Sequence, residues 1–128
     1  MYSLDIMNKT SFKELLENNS AVIIVKFTAA WCAPCKRSSP FINECKNNLP
    51  ETYQFIEIDI DESLELYGTL KSKRIVAGIP SLIAYYKDNT SIWPDEAISS
   101  SDPNDIEAFF NTVTNESATY NGSIPISI

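Results

Sequence analysis

Apolar residues follow two different rhythms along this chain. Ala21-Val22-Ile23-Ile24-Val25-Lys26-Phe27 is continuously apolar except for Lys26, the pattern of an interior parallel strand covered on both faces. Tyr53-Gln54-Phe55-Ile56-Glu57-Ile58-Asp59-Ile60-Asp61 is rich in aromatic and β-branched residues and closes on acidic turn residues, which predicts a second strand. Between the two, Phe41, Ile42, Cys45 and Leu49 recur at helical spacing. A helix is therefore expected from about Cys35 to Asn48, bent early by Pro40 and stopped by Pro50. Strand, helix and strand in that order make a βαβ unit.

The flanking segments fill out one α/β layer structure. Ser11-Phe12-Lys13-Glu14 has capping-box form, with Ser11 as N-cap and Glu14 at N3. The helix it starts carries Phe12, Leu15 and Leu16 on one face and ends near Asn18-Asn19. Residues 63–67 predict a short helix ended by Gly68, followed by a loop over 69–78 that carries Lys71-Ser72-Lys73-Arg74. Pro80 leads into a strand over 81–86, and Lys87-Asp88-Asn89-Thr90 is turn chemistry. Ser91-Ile92-Trp93 then reads as the return strand of a hairpin, kept at the sheet edge by Pro94. After a loop over 95–101, Asp102-Pro103 starts a last helix with Ile106, Phe109, Phe110 and Val113 on one face. From Asn115 the composition turns polar, which divides the chain into a domain over 1–114 and a C-terminal tail over 115–128. Ser123-Ile124-Pro125-Ile126-Ser127-Ile128 within that tail alternates as an edge strand would.

Composition narrows the function classes. A chain of 128 residues that is 44% apolar can bury one core unaided. Three cysteines do not make a disulfide framework, so the expected setting is reducing and cytoplasmic. The N-terminus lacks a basic flank followed by an apolar segment, and no apolar run is long enough to span a bilayer. A formal charge of −7 argues against a nucleic-acid surface. The absence of His excludes Ser-His and Cys-His nucleophile pairs and every His-containing zinc site.

Chemistry concentrates at Trp31-Cys32-Ala33-Pro34-Cys35-Lys36. Two thiols three positions apart on the first turn of a helix bring their sulfurs within disulfide reach. The helix N-terminus favours thiolate over thiol at the first of them, so the pair can cycle between dithiol and disulfide. Cys45, ten residues beyond Cys35, lies about 15 Å along the helix and cannot join them. It reads as a small hydrophobe on the apolar face beside Phe41 and Leu49, with a regulatory thiol as the alternative.

Up to about Thr114 the chain resembles the thioredoxin family. The resemblance rests on Trp31-Cys32-Ala33-Pro34-Cys35-Lys36, with Ala33 where the family has Gly, on Pro40 in the following helix, and on Gly78-Ile79-Pro80-Ser81-Leu82. It implies a thioredoxin fold: a central mixed β-sheet of four to five strands flanked by helices on both faces. It also implies a disulfide reductase that needs no bound cofactor, acts as a monomer on disulfide-containing proteins and is recharged by an upstream reductase. Cys32 would be the attacking thiolate and Cys35 the resolving thiol. Trp31, Ala33, Pro34, Ile79 and Pro80, the last in the cis form, would contact the substrate peptide. A partner-specific oxidase or isomerase and a non-catalytic binding module are the alternatives.

Three departures from the family pattern bear on function. Lys26 occupies the position of the family's buried acid, which assists proton transfer at the second Cys. A charged Lys26 would stabilise a Cys35 thiolate and an uncharged one would be a base; a long stem that escapes to the sheet edge would touch neither sulfur. The approach to Pro80 is longer than in the family and carries the basic cluster, either a solvated loop or a dock for an acidic partner. The family's Gly after the hairpin is missing, with Trp93-Pro94-Asp95-Glu96-Ala97 in that neighbourhood. That predicts a narrowed groove favouring basic or neutral peptides.

Overall fold

The computed structural model describes residues 7–120. Its elements run α1 (Lys9–Glu17), β1 (Val22–Thr28), α2 (Ala33–Asn47), β2 (Tyr53–Asp59), a 3-10 turn (Ile60–Glu62), α3 (Leu64–Ser72), β3 (Ser81–Tyr86), β4 (Glu96–Ser99) and α4 (Pro103–Tyr120). Among the described residues the sheet has four strands in the order β2-β1-β3-β4. β1 and β2 are parallel, whereas β1 with β3 and β3 with β4 are antiparallel.

The continuous apolar run of β1 follows from its central place. Ile23, Val25 and Phe27 point to one face, where Phe12 and Leu16 of α1 and Leu66 and Leu70 of α3 cover them. Val22 and Ile24 point to the other, against Ile42 of α2 and Ile106, Phe109 and Val113 of α4. Successive strand residues alternate faces, so a strand buried on both must be apolar throughout. Lys26 belongs to the second face.

Four local expectations are corrected. The N-cap of α1 is Asn8, not Ser11: Ser11 N–H donates to Asn8 Oδ1 at 2.8 Å and Asn8 N–H donates to Ser11 Oγ at 2.9 Å. The box is reciprocal but begins three residues earlier, and Ser11 takes the N3 role given to Glu14. Gly68 does not end α3, which continues to Ser72 because Leu66 and Leu70 bury together on its inner face. Its true stop is Arg74, in the left-handed region at φ 64°. There Arg74 N–H donates to Lys71 O at 3.0 Å and Ile75 N–H to Leu70 O at 2.9 Å, a Schellman closure that buries Ile75. Half of the basic cluster is thus helical.

The hairpin returns later than the apolar pattern implies. Ser91-Ile92-Trp93 is not a strand; β4 lies at Glu96–Ser99, inside the stretch read as a loop. Side chains capture the intervening backbone: Ser91 N–H donates to Asn89 Oδ1 at 2.9 Å, Asn89 Nδ2 to Trp93 O at 3.0 Å, and Tyr86 N–H to Asp95 Oδ2 at 2.8 Å. Such bonds compete with ladder pairing and win where Asn, Ser and Asp are dense. Finally, α4 starts as expected, with Asn104 N–H donating to Asp102 Oδ1 at 2.8 Å, but runs on through Asn115 to Tyr120. Buried Ser117, hydrogen-bonded to the Tyr53 hydroxyl of β2, accounts for a helix in that polar stretch. The alternating segment over 123–128 lies outside the described residues.

Candidate active site

The chain leaves β1 at Thr28, crosses a turn closed by Cys32 N–H donating to Ala29 O at 3.1 Å, and enters α2 with Cys32 as N-cap. Pro34 fits the first turn because the N–H it lacks has no helical acceptor there. The Cys32 sulfur accepts the Cys35 N–H at 3.2 Å. It therefore receives one of the donors a helix start leaves unpaired, which is the arrangement that stabilises a thiolate. Cys32 and Cys35 are joined as a disulfide, with Cα atoms 5.3 Å apart, inside the range such bonds require.

The two sulfurs face different surroundings. Cys32 Sγ lies 3.9 Å from the carbonyl oxygen of Ile79, and the Ile79-Pro80 bond is cis. Pro34, Ile79 and Pro80 share a groove of about 280 Å³ with Ser99, Ser100 and Ser101. Cys35 instead lines a larger open cavity of about 630 Å³ between α2, β1 and β2, together with Lys26, Lys36, Ser39, Glu57 and Asp59. Only 4% of Cys32 and 2% of Cys35 is exposed.

Trp31 is 65% exposed beside the pair, and its indole N–H donates to Asp61 Oδ2 at 2.8 Å. Ala33 is exposed and Pro34 half-buried at the same end of α2. Lys26 is buried at the inner wall of the larger cavity: it is 2% exposed, its Nζ 3.7 Å from Glu57 Oε1 and 3.4 Å from Ser39 Oγ. Sequence reasoning brought Cys32, Cys35, Lys26, Trp31, Pro34, Ile79 and Pro80 to one end of the sheet, where all of them lie. It missed Asp61, Glu57 and the Ser99–Ser101 wall. The strand register would have found Glu57, because Lys26 and Glu57 are direct partners across β1 and β2.

The expected acidic narrowing of the groove is also corrected. Asp95 accepts from Tyr86 N–H and Asn89 Nδ2, and Glu96 accepts from the Tyr86 hydroxyl at 3.5 Å. Neither lines the groove, whose outer wall is serine. Trp93 stands elsewhere, with Lys73 Nζ 5.8 Å from its ring centre. Cys45 is half-buried against the α2–α4 core, and burial, then Glu107 and Glu44, push its thiol above the ordinary value. That makes it a weak nucleophile. Among the described residues no cluster of His, Cys, Asp and Glu fits a metal ion, and no helix is long and apolar enough to cross a membrane.

A bonded cysteine pair capping a helix, with an Ile-Pro edge against the first sulfur, defines a protein built for thiol–disulfide exchange. Comparison with known proteins gives the family. The thioredoxin family model matches residues 3–113. Thioredoxin 1 of Plasmodium falciparum is 31% identical over 87 residues, covering 68% of this chain and 77% of its own length. Thioredoxin of Ophiophagus hannah is 34% identical over 84 residues, 65% of this chain and 74% of its own. Chloroplastic thioredoxin Y2 of Arabidopsis thaliana is 31% identical over 75 residues, but the match spans only 42% of its length. A solved thioredoxin from P. falciparum superimposes with a TM-score of 0.63 at 25% identity, over 82% of this chain and 93% of that one. The chain belongs to the thioredoxin family.

Proposed function

We propose that this protein reduces disulfide bonds in protein substrates through the Cys32–Cys35 pair. The observation that carries the reading is the position of Cys32: its sulfur caps α2, accepts the Cys35 N–H and sits 3.9 Å from the Ile79 carbonyl. In the dithiol form, the Cys32 thiolate attacks one sulfur of a substrate disulfide. That S–S bond breaks, the released substrate sulfur takes a proton, and a Cys32–substrate disulfide remains. Cys35 then gives up its proton and attacks Cys32, closing the internal disulfide and releasing the second substrate thiol. Two electrons and two protons pass to the substrate, and an upstream reductase restores them.

The groove supports peptide binding beside the attacked sulfur. An extended segment laid along Ile79 and Pro80 meets backbone on one side and Pro34 on the other, with Trp31 supplying apolar surface. Lys26 supports the resolving half of the cycle, since an ammonium near Cys35 favours its thiolate. The protein works as a monomer, with no bound cofactor, in a reducing compartment, the cytoplasm first among them.

Reduction of a simple protein disulfide, with dithiothreitol as electron donor, tests the reading. Wild type should be active, Cys32→Ser inactive, and Cys35→Ser should accumulate the Cys32–substrate adduct, visible by mass. Wild type as inactive as Cys32→Ser would end the enzyme reading.

A further inference from the structure

Lys26 is the one buried cation in β1, and burial of a charge is costly unless it is paired. The pairing is unequal: the Lys26 side chain is 2% exposed and that of Glu57 is 56% exposed. Glu57 therefore keeps most of its hydration while its Oε1 lies 3.7 Å from Nζ, and Ser39 Oγ sits on another side of Nζ at 3.4 Å. The parallel register of β1 and β2 sets the two residues opposite one another. All three line the cavity that Cys35 also lines. The remaining charged groups facing it are Lys36 of α2 and Asp59 of β2.

We infer that Glu57 is a positioning residue for the resolving step: it anchors the Lys26 ammonium in the cavity beside Cys35. This rests on the reading of Cys32 and Cys35 as the exchanging pair. In that step the Cys35 thiol releases its proton to solvent admitted by the open cavity. Its thiolate attacks Cys32 Sγ, the Cys32–Cys35 bond forms and the Cys32–substrate bond breaks. The electron pair leaves on the substrate sulfur, which takes a proton from solvent. Lys26 favours the thiolate before attack, and Glu57 sets where that charge is felt.

Anchoring and simple charge predict opposite signs. Removing a carboxylate near a thiol lowers the pH at which the thiol ionises, because one repulsive charge is gone. Removing an anchor raises it, because the ammonium drifts from the sulfur. The experiment follows the labelled Cβ resonance of Cys35 against pH by NMR, in the full chain carrying Cys32→Ser so that one thiol titrates alone. Lys26→Met should raise the Cys35 midpoint by about one pH unit, the size of effect a nearby opposite charge exerts. Glu57→Gln should raise it by less, and in the Lys26→Met background should lower it. A Glu57→Gln midpoint that falls in both backgrounds overturns the inference while leaving Lys26 in place. An unmoved Lys26→Met midpoint overturns it together with the role of Lys26, but not the reductase reading, which the activity assay scores independently. Should Lys26→Met not fold, Glu57→Asp carries the test: it keeps the charge and shortens the reach. Its midpoint rises if Glu57 is an anchor and stays unmoved if only its charge matters.

Discussion

Trp31 and Asp61 are 30 positions apart, yet one hydrogen bond of 2.8 Å sets the indole beside Cys32. Both side chains are exposed, so the bond contributes little to folding and acts on the orientation of an apolar surface. Asp61→Ala should leave the melting temperature nearly unchanged and lower kcat/KM for a protein disulfide by roughly fivefold, the equivalent of about 1 kcal/mol of net hydrogen bonding. Steady-state kinetics and a thermal melt check both halves. Glu96 gives a pH dependence instead. Burial first, then Glu116 and Asp95, raise its carboxyl above the ordinary value, against the opposing Tyr86 hydrogen bond. The folded state thus holds this proton to higher pH than the unfolded chain does. Its contribution to stability is present below the ordinary carboxylate range and is lost as pH rises through the raised value. Glu96→Gln should melt above wild type at neutral pH, with the difference closing on acidification; a gap constant with pH would contradict this. The thiols, Trp31 and Pro80 were legible from local residue patterns. Asp61 and Glu57 were not, because their partners are distant in sequence: Trp31 in the turn before α2 for Asp61, and Lys26 across the β1–β2 register for Glu57.

Elements were legible where apolar periodicity was strong and illegible where side chains compete for backbone. β1, α2, β2 and β3 follow their runs, since each buries a face that only that geometry can bury. The 87–95 segment misleads because Asn89 and Ser91 satisfy N–H groups within it and Asp95 takes the N–H of Tyr86 at the end of β3, which moves the return strand to Glu96–Ser99. At α3 the error has the opposite origin. Glycine lowers helix propensity, but burial of Leu66 and Leu70 either side of Gly68 outweighs it. A Cβ built at Gly68 meets nothing within 4 Å. Gly68→Ala should therefore stabilise the protein by about 0.5–1 kcal/mol, read as a higher midpoint in urea with an unchanged slope.

Across the whole molecule, the cysteine pair and most of the proposed substrate groove draw on different strands. The sulfurs, Lys26 and Glu57 belong to β1, α2 and β2, whereas the Ile79-Pro80 edge and the serine wall flank β3 and β4. A chain of hydroxyls braces the second region. Ala77 N–H donates to Ser99 Oγ at 2.9 Å, Ser99 and Ser81 hydroxyls lie 2.6 Å apart, and Ser81 Oγ donates to Gly78 O at 2.5 Å. With Ser81 donating to Gly78, Ser99 is the donor to Ser81. Ser99→Ala should speed hydrogen exchange at the Ala77 amide while leaving α2 amides protected; equal change in both would mean global destabilisation instead. The brace spans β4 and the segment before Pro80 without touching either cysteine. If substrates lie along that groove as proposed, a new loop grafted onto the β3–β4 edge would redirect the protein to other disulfides, with the cysteine pair at the start of α2 inherited intact.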